Sequence, residues 1–243
     1  MRFSRTTFVL VSLLATAPVV AEEHHVPAPP SGTKVISALL EGNRRFLAGH
    51  AKHPHTERRY VRETGIHGQH PQAVVLTCAD SRVSPEILFD QGIGDLFTIR
   101  VAGNVANEDE AASVEYAAEH LDVPVCVVLG HTGCGAVTAV VRGEKLPHSF
   151  DHLLTPIQAT VRDLRRAQPK LRGDALTGMA VRANVWHAVA DLLRENGALR
   201  DRARTGRLAI VGAVYDTSTG TVQWLGHHPG EEGLLAKAPR DQK

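Results

Sequence analysis

The stretch AVVLTCADSRVSPE, Ala73 to Glu86, decides the fold. Its first four residues are an unbroken apolar run, too short for a buried helix and suited to a strand covered on both faces. Directly after that run come Cys78, Asp80 and Arg82 at alternate positions. Ser84-Pro85-Glu86 then reads as a helix start, with Ser84 as N-cap and Pro85 at the first helical position. A strand that hands over to a helix through a polar turn is where open α/β sheets bind ligands. Alternate spacing would put Cys78, Asp80 and Arg82 on one side, provided the strand geometry persists past Leu76.

The pattern recurs downstream. Leu96 to Val101 and Val123 to Leu129 predict a second and a third strand, the latter apolar except at Pro124. Between them Asp109 to Leu121 predicts a helix with Ala112, Tyr116 and Ala117 on one face. Ala136 to Val141 and residues 151–167 and 174–196 predict further helices; in the last, Val181, Val185, Val189 and Leu192 recur at helical spacing. Leu208 to Tyr215 predicts a fourth strand, Asp216 to Gly220 a turn, and Thr221 to Leu225 a fifth strand paired back on the fourth. Upstream, Lys34 to Leu47 predicts an amphipathic helix stopped at Gly49, and His53 to Gln72 a polar loop with a short helix. The expectation is an α/β domain over residues 33–226. About four parallel strands and one C-terminal antiparallel strand form its sheet, with helices on both faces.

Outside that domain the chain changes character. Residues 1–21 carry Arg2 and Arg5, an apolar run from Phe8 to Leu14 and a small residue at Ala21, the pattern of a secretory signal peptide rather than a membrane span. Export to a periplasm, or secretion where no outer membrane exists, is therefore expected, with no membrane attachment after cleavage. Residues 22–32 (EEHHVPAPPSG) read as a flexible linker, and residues 227–243 as a loose polar tail. The net charge is +1 over 243 residues and becomes −1 once the two leader arginines are gone, which excludes a nucleic-acid footprint.

Three cysteines in an exported chain leave one over if two pair. A second strand end offers a different use: Gly130-His131-Thr132-Gly133-Cys134-Gly135 follows the third strand. If the first and third strands are neighbours, Cys78, His131 and Cys134 converge as two sulfurs and one imidazole, a normal set for Zn²⁺. Asp80 could fill the fourth position and close the site. Alternatively it pairs with Arg82 and leaves that position to water, as catalytic zinc requires. A Cys78–Cys134 disulfide or redox pair and a purely structural zinc remain alternatives. Cys126, inside the third strand, reads as an inert core thiol.

Cys78-Ala79-Asp80-Ser81-Arg82 and His131-Thr132-Gly133-Cys134 resemble the two signatures of the β-class carbonic anhydrases. The similarity runs from about Lys34 to Leu225 and includes Gly42-Asn43-Arg44-Arg45-Phe46, Arg100-Val101-Ala102-Gly103-Asn104, Glu115-Tyr116-Ala117 and Gly212-Ala213-Val214-Tyr215-Asp216. The resemblance implies one Zn²⁺ per subunit on Cys78, His131 and Cys134, and reversible hydration of CO₂ to bicarbonate and a proton by zinc-bound hydroxide. Asp80 would orient the zinc water and Arg82 would anchor Asp80. It implies a pocket that places Gln69, Phe97, Ala102, Tyr116 and Gly135 at the substrate, completed by a second subunit. It also implies a homodimer, or a dimer of dimers, with the N-terminal helix laid across the partner. Members whose aspartate closes onto zinc carry a tryptophan three residues before the first cysteine; here that residue is Val75, so the open site is expected. Relatives that hydrolyse carbon disulfide or carbonyl sulfide share the metal site and are the alternative within the fold. A thiol redox protein using Cys78 and Cys134 is the alternative outside it.

Overall fold

The computed structural model describes residues 31–236. The expected leader, almost all of the linker and the last seven residues lie outside the described residues. In chain order the elements are α1 (Gly32–Leu47), α2 (Arg58–His67), β1 (Ala73–Thr77), α3 (Pro85–Leu88), β2 (Leu96–Arg100), α4 (Glu108–His120), β3 (Val125–His131) and α5 (Gly135–Arg142). After a 3₁₀ turn follow α6 (Asp151–Ala167), α7 (Gly173–Glu195), α8 (Gly197–Arg204), β4 (Ala209–Tyr215), β5 (Val222–His227) and α9 (Glu231–Leu235).

The strands form one sheet in the order β2-β1-β3-β4-β5. Every pairing is parallel except β4 with β5. This is the expected sheet. From β1 the chain steps to β2 on one side and then returns to β3 on the other, so the order reverses between β1 and β3. A crevice opens at the carboxyl ends of strands at such a reversal.

Period-two alternation sorts the strand side chains onto two faces. Val74, Leu76, Cys78, Cys126 and Val128 pack with α4 to α9 in the larger core. Ala73, Val75, Val127 and Leu129 pack with Val35 and Leu39 of α1 and with Leu88 and Phe89 in the smaller one. The four valines and leucines of α7 singled out by spacing are all buried.

Two expectations need correction, and two elements add detail the sequence did not give. On α4 the buried stripe is Val114, Ala117 and Ala118, while Ala112 and Tyr116 face out. α1 packs Val35 and Leu39 on its own chain, where Asn43 Nδ2 donates to the carbonyls of Leu88 and Gly220 and Gly42 sits against the Phe89 backbone. α8 had no counterpart among the expected elements; GALRDRAR lacks an apolar stripe, yet its Arg200 and Arg202 are buried, and the Asn196 side chain accepts from Leu199 N to start the helix. Finally, the segment 227–243 is not a loose tail at its start. β5 runs to His227, and α9 follows with Leu234 buried against α7 and α8.

Candidate metal centre

The site grows from the reversal between β1 and β3. The register sets Thr77 beside Leu129, and the Thr77 hydroxyl donates to the Leu129 carbonyl at 2.8 Å. Cys78 is the next residue, on the face already used by Val74 and Leu76. β3 continues to His131, opposite Tyr215 of β4. Gly133 then takes a left-handed backbone (φ +67), which favours glycine and brings Cys134 to the N-cap of α5. The ligand atoms of Cys78, His131 and Cys134 all lie within 4.8 Å of one another, and all three residues are buried.

The chemistry of each atom follows from its partners. His131 Nδ1 is 3.0 Å from the Thr132 carbonyl, which can only accept, so Nδ1 carries the proton. Nε2 then presents a lone pair, and it is buried without a hydrogen-bond partner among the described residues. A buried polar atom left in that state calls for a partner, and a cation satisfies a lone pair facing two sulfurs. Cys78 is pushed down to about 4. The Cys134 thiol that donates to it is the main cause, helped by the Gly103 N–H at 3.3 Å, against the opposing effect of burial. Cys134 is pushed up because it shares its proton with Cys78 and lies against that negative charge. A dication would replace the one proton held between the two sulfurs.

Asp80 and Arg82 form a fork. Arg82 Nε donates to Oδ1 at 2.9 Å and Nη2 to Oδ2 at 2.8 Å, and the Arg82 amide adds a bond to Oδ1 at 3.0 Å. These bonds hold the Asp80 carboxyl well below the usual carboxylate range. Its Oδ2 is 3.9 Å from His131 Nε2, so the carboxylate stands at the edge of the donor set. The pairing does not come from continued strand alternation: β1 stops at Thr77, and a turn closed by Val83 N on the Asp80 carbonyl brings the two side chains together. Arg82 Nη2 also reaches the Gly133 carbonyl at 3.4 Å, linking the two loops that carry the sulfurs.

Three supports were not anticipated from sequence. Arg100 donates to the carbonyls of Asp80 (2.7 Å) and Cys78 (3.3 Å). Asn184 of α7 donates to the Gly103 carbonyl at 2.7 Å, and Gly103 in turn donates to the Cys78 sulfur. Arg100 and Gly103 lie in the quoted RVAGN stretch, which was the available signal; nothing local marked Asn184.

The remaining expected residues divide. Ala102 precedes Gly103, and Gly135 opens α5 directly after Cys134 with open space where a Cβ would stand. Phe97 and Tyr116 meet with ring centroids 6.1 Å apart, Tyr116 about half exposed. Gln69 is not brought to the site. It stands in the exposed loop before β1, at the opposite end of the strand from Cys78.

A family model described as carbonic anhydrase matches residues 73–222, the span that carries every residue of this centre. The chain belongs to the carbonic anhydrases. Among curated relatives of this carbonic anhydrase, "Carbonic anhydrase 2" of Mycobacterium tuberculosis is 39% identical over 207 residues, covering 80% of this chain and 94% of that protein. The carbonic anhydrase of Mycolicibacterium smegmatis is 39% identical over 206 residues, covering 81% and 94%. Among solved structures, the β-carbonic anhydrase CcaA superposes with a TM-score of 0.60 at 30% identity over 78% of this chain and 94% of that one. CafA of Aspergillus fumigatus superposes with a TM-score of 0.65 at 29% identity over 83% and 95%. These neighbours place this carbonic anhydrase in the β class.

Proposed function

We propose that this β-class carbonic anhydrase reversibly hydrates CO₂ to bicarbonate and a proton, with one zinc ion per subunit on Cys78, His131 and Cys134. The observation that carries the metal is the buried, unpartnered Nε2 of His131 facing two sulfurs that share one proton. Zinc in such a set supplies a nucleophile at neutral pH by lowering the pKa of a water.

The chain's own groups do the rest. Asp80 is ionised and therefore an acceptor only, so it would orient a metal-held water by taking its hydrogen bond. Arg82 occupies both carboxylate oxygens and keeps Asp80 off the metal. Released from Arg82, Asp80 would become the fourth ligand and close the site. Val75, buried on the opposite face from Cys78, leaves that face of β1 aliphatic where closing members carry tryptophan. Apolar CO₂ is received by Phe97, Ala102 and Tyr116, with Gly135 keeping the approach open. Gln69 reaches this pocket from a second subunit, and the working unit is a homodimer or a dimer of dimers. The Phe8–Leu14 run behind Arg2 and Arg5 supports export, with zinc loaded outside the cytoplasm.

Stopped-flow CO₂ hydration on zinc-loaded protein, beside Asp80→Asn, tests the reading. The expected result is activity in the wild type and a loss of about 100-fold or more in the variant at unchanged zinc content. A zinc-loaded wild type that does not hydrate CO₂ would overturn the assignment; a variant as fast as wild type would remove Asp80 from the mechanism.

A further inference from the structure

The His131 imidazole is held from behind by the turn between β4 and β5. The Thr132 carbonyl that takes the Nδ1 proton is part of a closed set of bonds to Thr217. The Thr217 amide donates to Thr132 Oγ1 at 3.0 Å. The two hydroxyl oxygens are 3.1 Å apart, and Thr217 Oγ1 is 3.3 Å from the Thr132 carbonyl. Thr217 Oγ1 donates to the Thr132 carbonyl, while the Thr132 hydroxyl lies between Thr217 Oγ1 and the Asp216 carboxylate. That carbonyl then receives two donors, the Thr217 hydroxyl and His131 Nδ1–H. The Thr132 amide closes the frame by donating to the Tyr215 carbonyl at 2.9 Å.

The turn is itself preorganised. Asp216 Oδ1 accepts from the amide and hydroxyl of Ser218 at 2.8 and 2.6 Å. The Gly220 amide returns to the Asp216 carbonyl at 2.9 Å, with Gly220 in the left-handed region (φ +81). Thr217 is thus presented from a rigid support 85 positions away in sequence.

The geometry points to Thr217 as a positioning residue for the zinc-binding imidazole. It acts through the Thr132 carbonyl, fixing the Nδ1–H tautomer and the ring plane so that Nε2 faces the sulfurs. Partners behind a metal-ligating histidine of this kind are worth about 10- to 100-fold in metal affinity. The inference rests on the proposed zinc site.

The test is competition for zinc with a fluorescent chelator, run on the wild type, Thr217→Val, Thr217→Ser and Thr219→Val. Thr217→Val keeps size and the backbone donor but removes the hydroxyl. It is expected to raise the zinc dissociation constant about 10-fold or more, while the thermal midpoint of the metal-free protein stays at the wild-type value. Thr217→Ser is expected to restore wild-type affinity. Thr219, whose hydroxyl bonds only within the turn at Thr221, controls for turn stability, and its variant is expected to bind as wild type does. Affinity within twofold of wild type in Thr217→Val overturns the inference. So does an equal loss in Thr219→Val. A wild type that binds no zinc overturns the zinc reading instead, which separates the two failures. Should the valine variant not fold, Thr217→Ala is read by the same criteria.

Discussion

Gly130 lies between Leu129 and the metal-site residue His131, and α7 crosses directly over it. A Cβ built there would stand 2.6 Å from Val185 Cγ2, with Val181 Cγ1 at 3.5 Å and Asn104 Oδ1 at 3.6 Å closing the other directions. Carbon atoms pack at about 3.5–4.0 Å, so Gly130→Ala forces an overlap of about 1 Å. Val185 cannot rotate away, because its other methyl, Cγ1, covers Gly212 of β4, where a Cβ would meet it at 2.9 Å. Helix α7 must therefore retreat from the sheet, at a cost of about 1–3 kcal/mol for overpacking. In a chain of this size each kcal/mol lowers Tm by about 2–4 °C. The retreat also draws Asn184 from the Gly103 carbonyl and so loosens the donor to Cys78. The assay is urea denaturation of Gly130→Ala, Val185→Ala and the double variant. Val185→Ala alone costs about 2 kcal/mol for the cavity. The double variant should cost less than the two single variants together by at least about 1 kcal/mol, because the new methyl enters the vacated space. A Gly130→Ala loss under about 0.5 kcal/mol, or an additive cycle, would show that α7 does not set the strand spacing at the site.

Two further outcomes follow from the charges and thiols. Burial pushes the Asp90 carboxyl up, but the Lys52 and His53 amides and Arg45 outweigh it and hold the group below its ordinary value. A depressed carboxylate stabilises above its unfolded value of about 3.9 and loses that contribution as pH falls through the lower folded value. Urea midpoints between about pH 5 and 2 should therefore fall less steeply in Asp90→Asn than in wild type; parallel curves would contradict the argument. With zinc removed, iodoacetamide should label Cys78, pushed down to about 4, and spare Cys126, which burial pushes up to about 12. Labelling of native Cys126 ahead of Cys78, read by peptide mass spectrometry, would refute the assignment of the reactive thiol.

The strands were legible because this sheet is buried on both faces, so Ala73 to Leu76 and Val125 to Leu129 are continuous apolar runs with nothing else to be. The donor set was legible because cysteine and histidine at strand ends have few structural uses. What escaped reading was contact across the fold. No local pattern ties Asn184 to Gly103 or Thr217 to Thr132, since each pair is more than eighty positions apart. α8 escaped because its buried residues include two arginines, one of which, Arg200, donates to the Leu193 carbonyl. Tyr116 was assigned to the wrong face of α4 because small alanines on both sides of that helix blur its periodicity.

The reversal of strand order between β1 and β3 has a consequence for folding. Thr77 and Leu129, which seat the two halves of the donor set, are 52 positions apart and meet only through a parallel crossover. Pairings of that separation are slow to form, because the loop must close before any contact rewards it. The set of ligands therefore does not exist in a chain that has made its helices but not this crossover. A metal cannot nucleate such a domain as it does a zinc finger, whose ligands are near neighbours in sequence. It acts instead as a latch, captured after the sheet is complete and slowing the way back out.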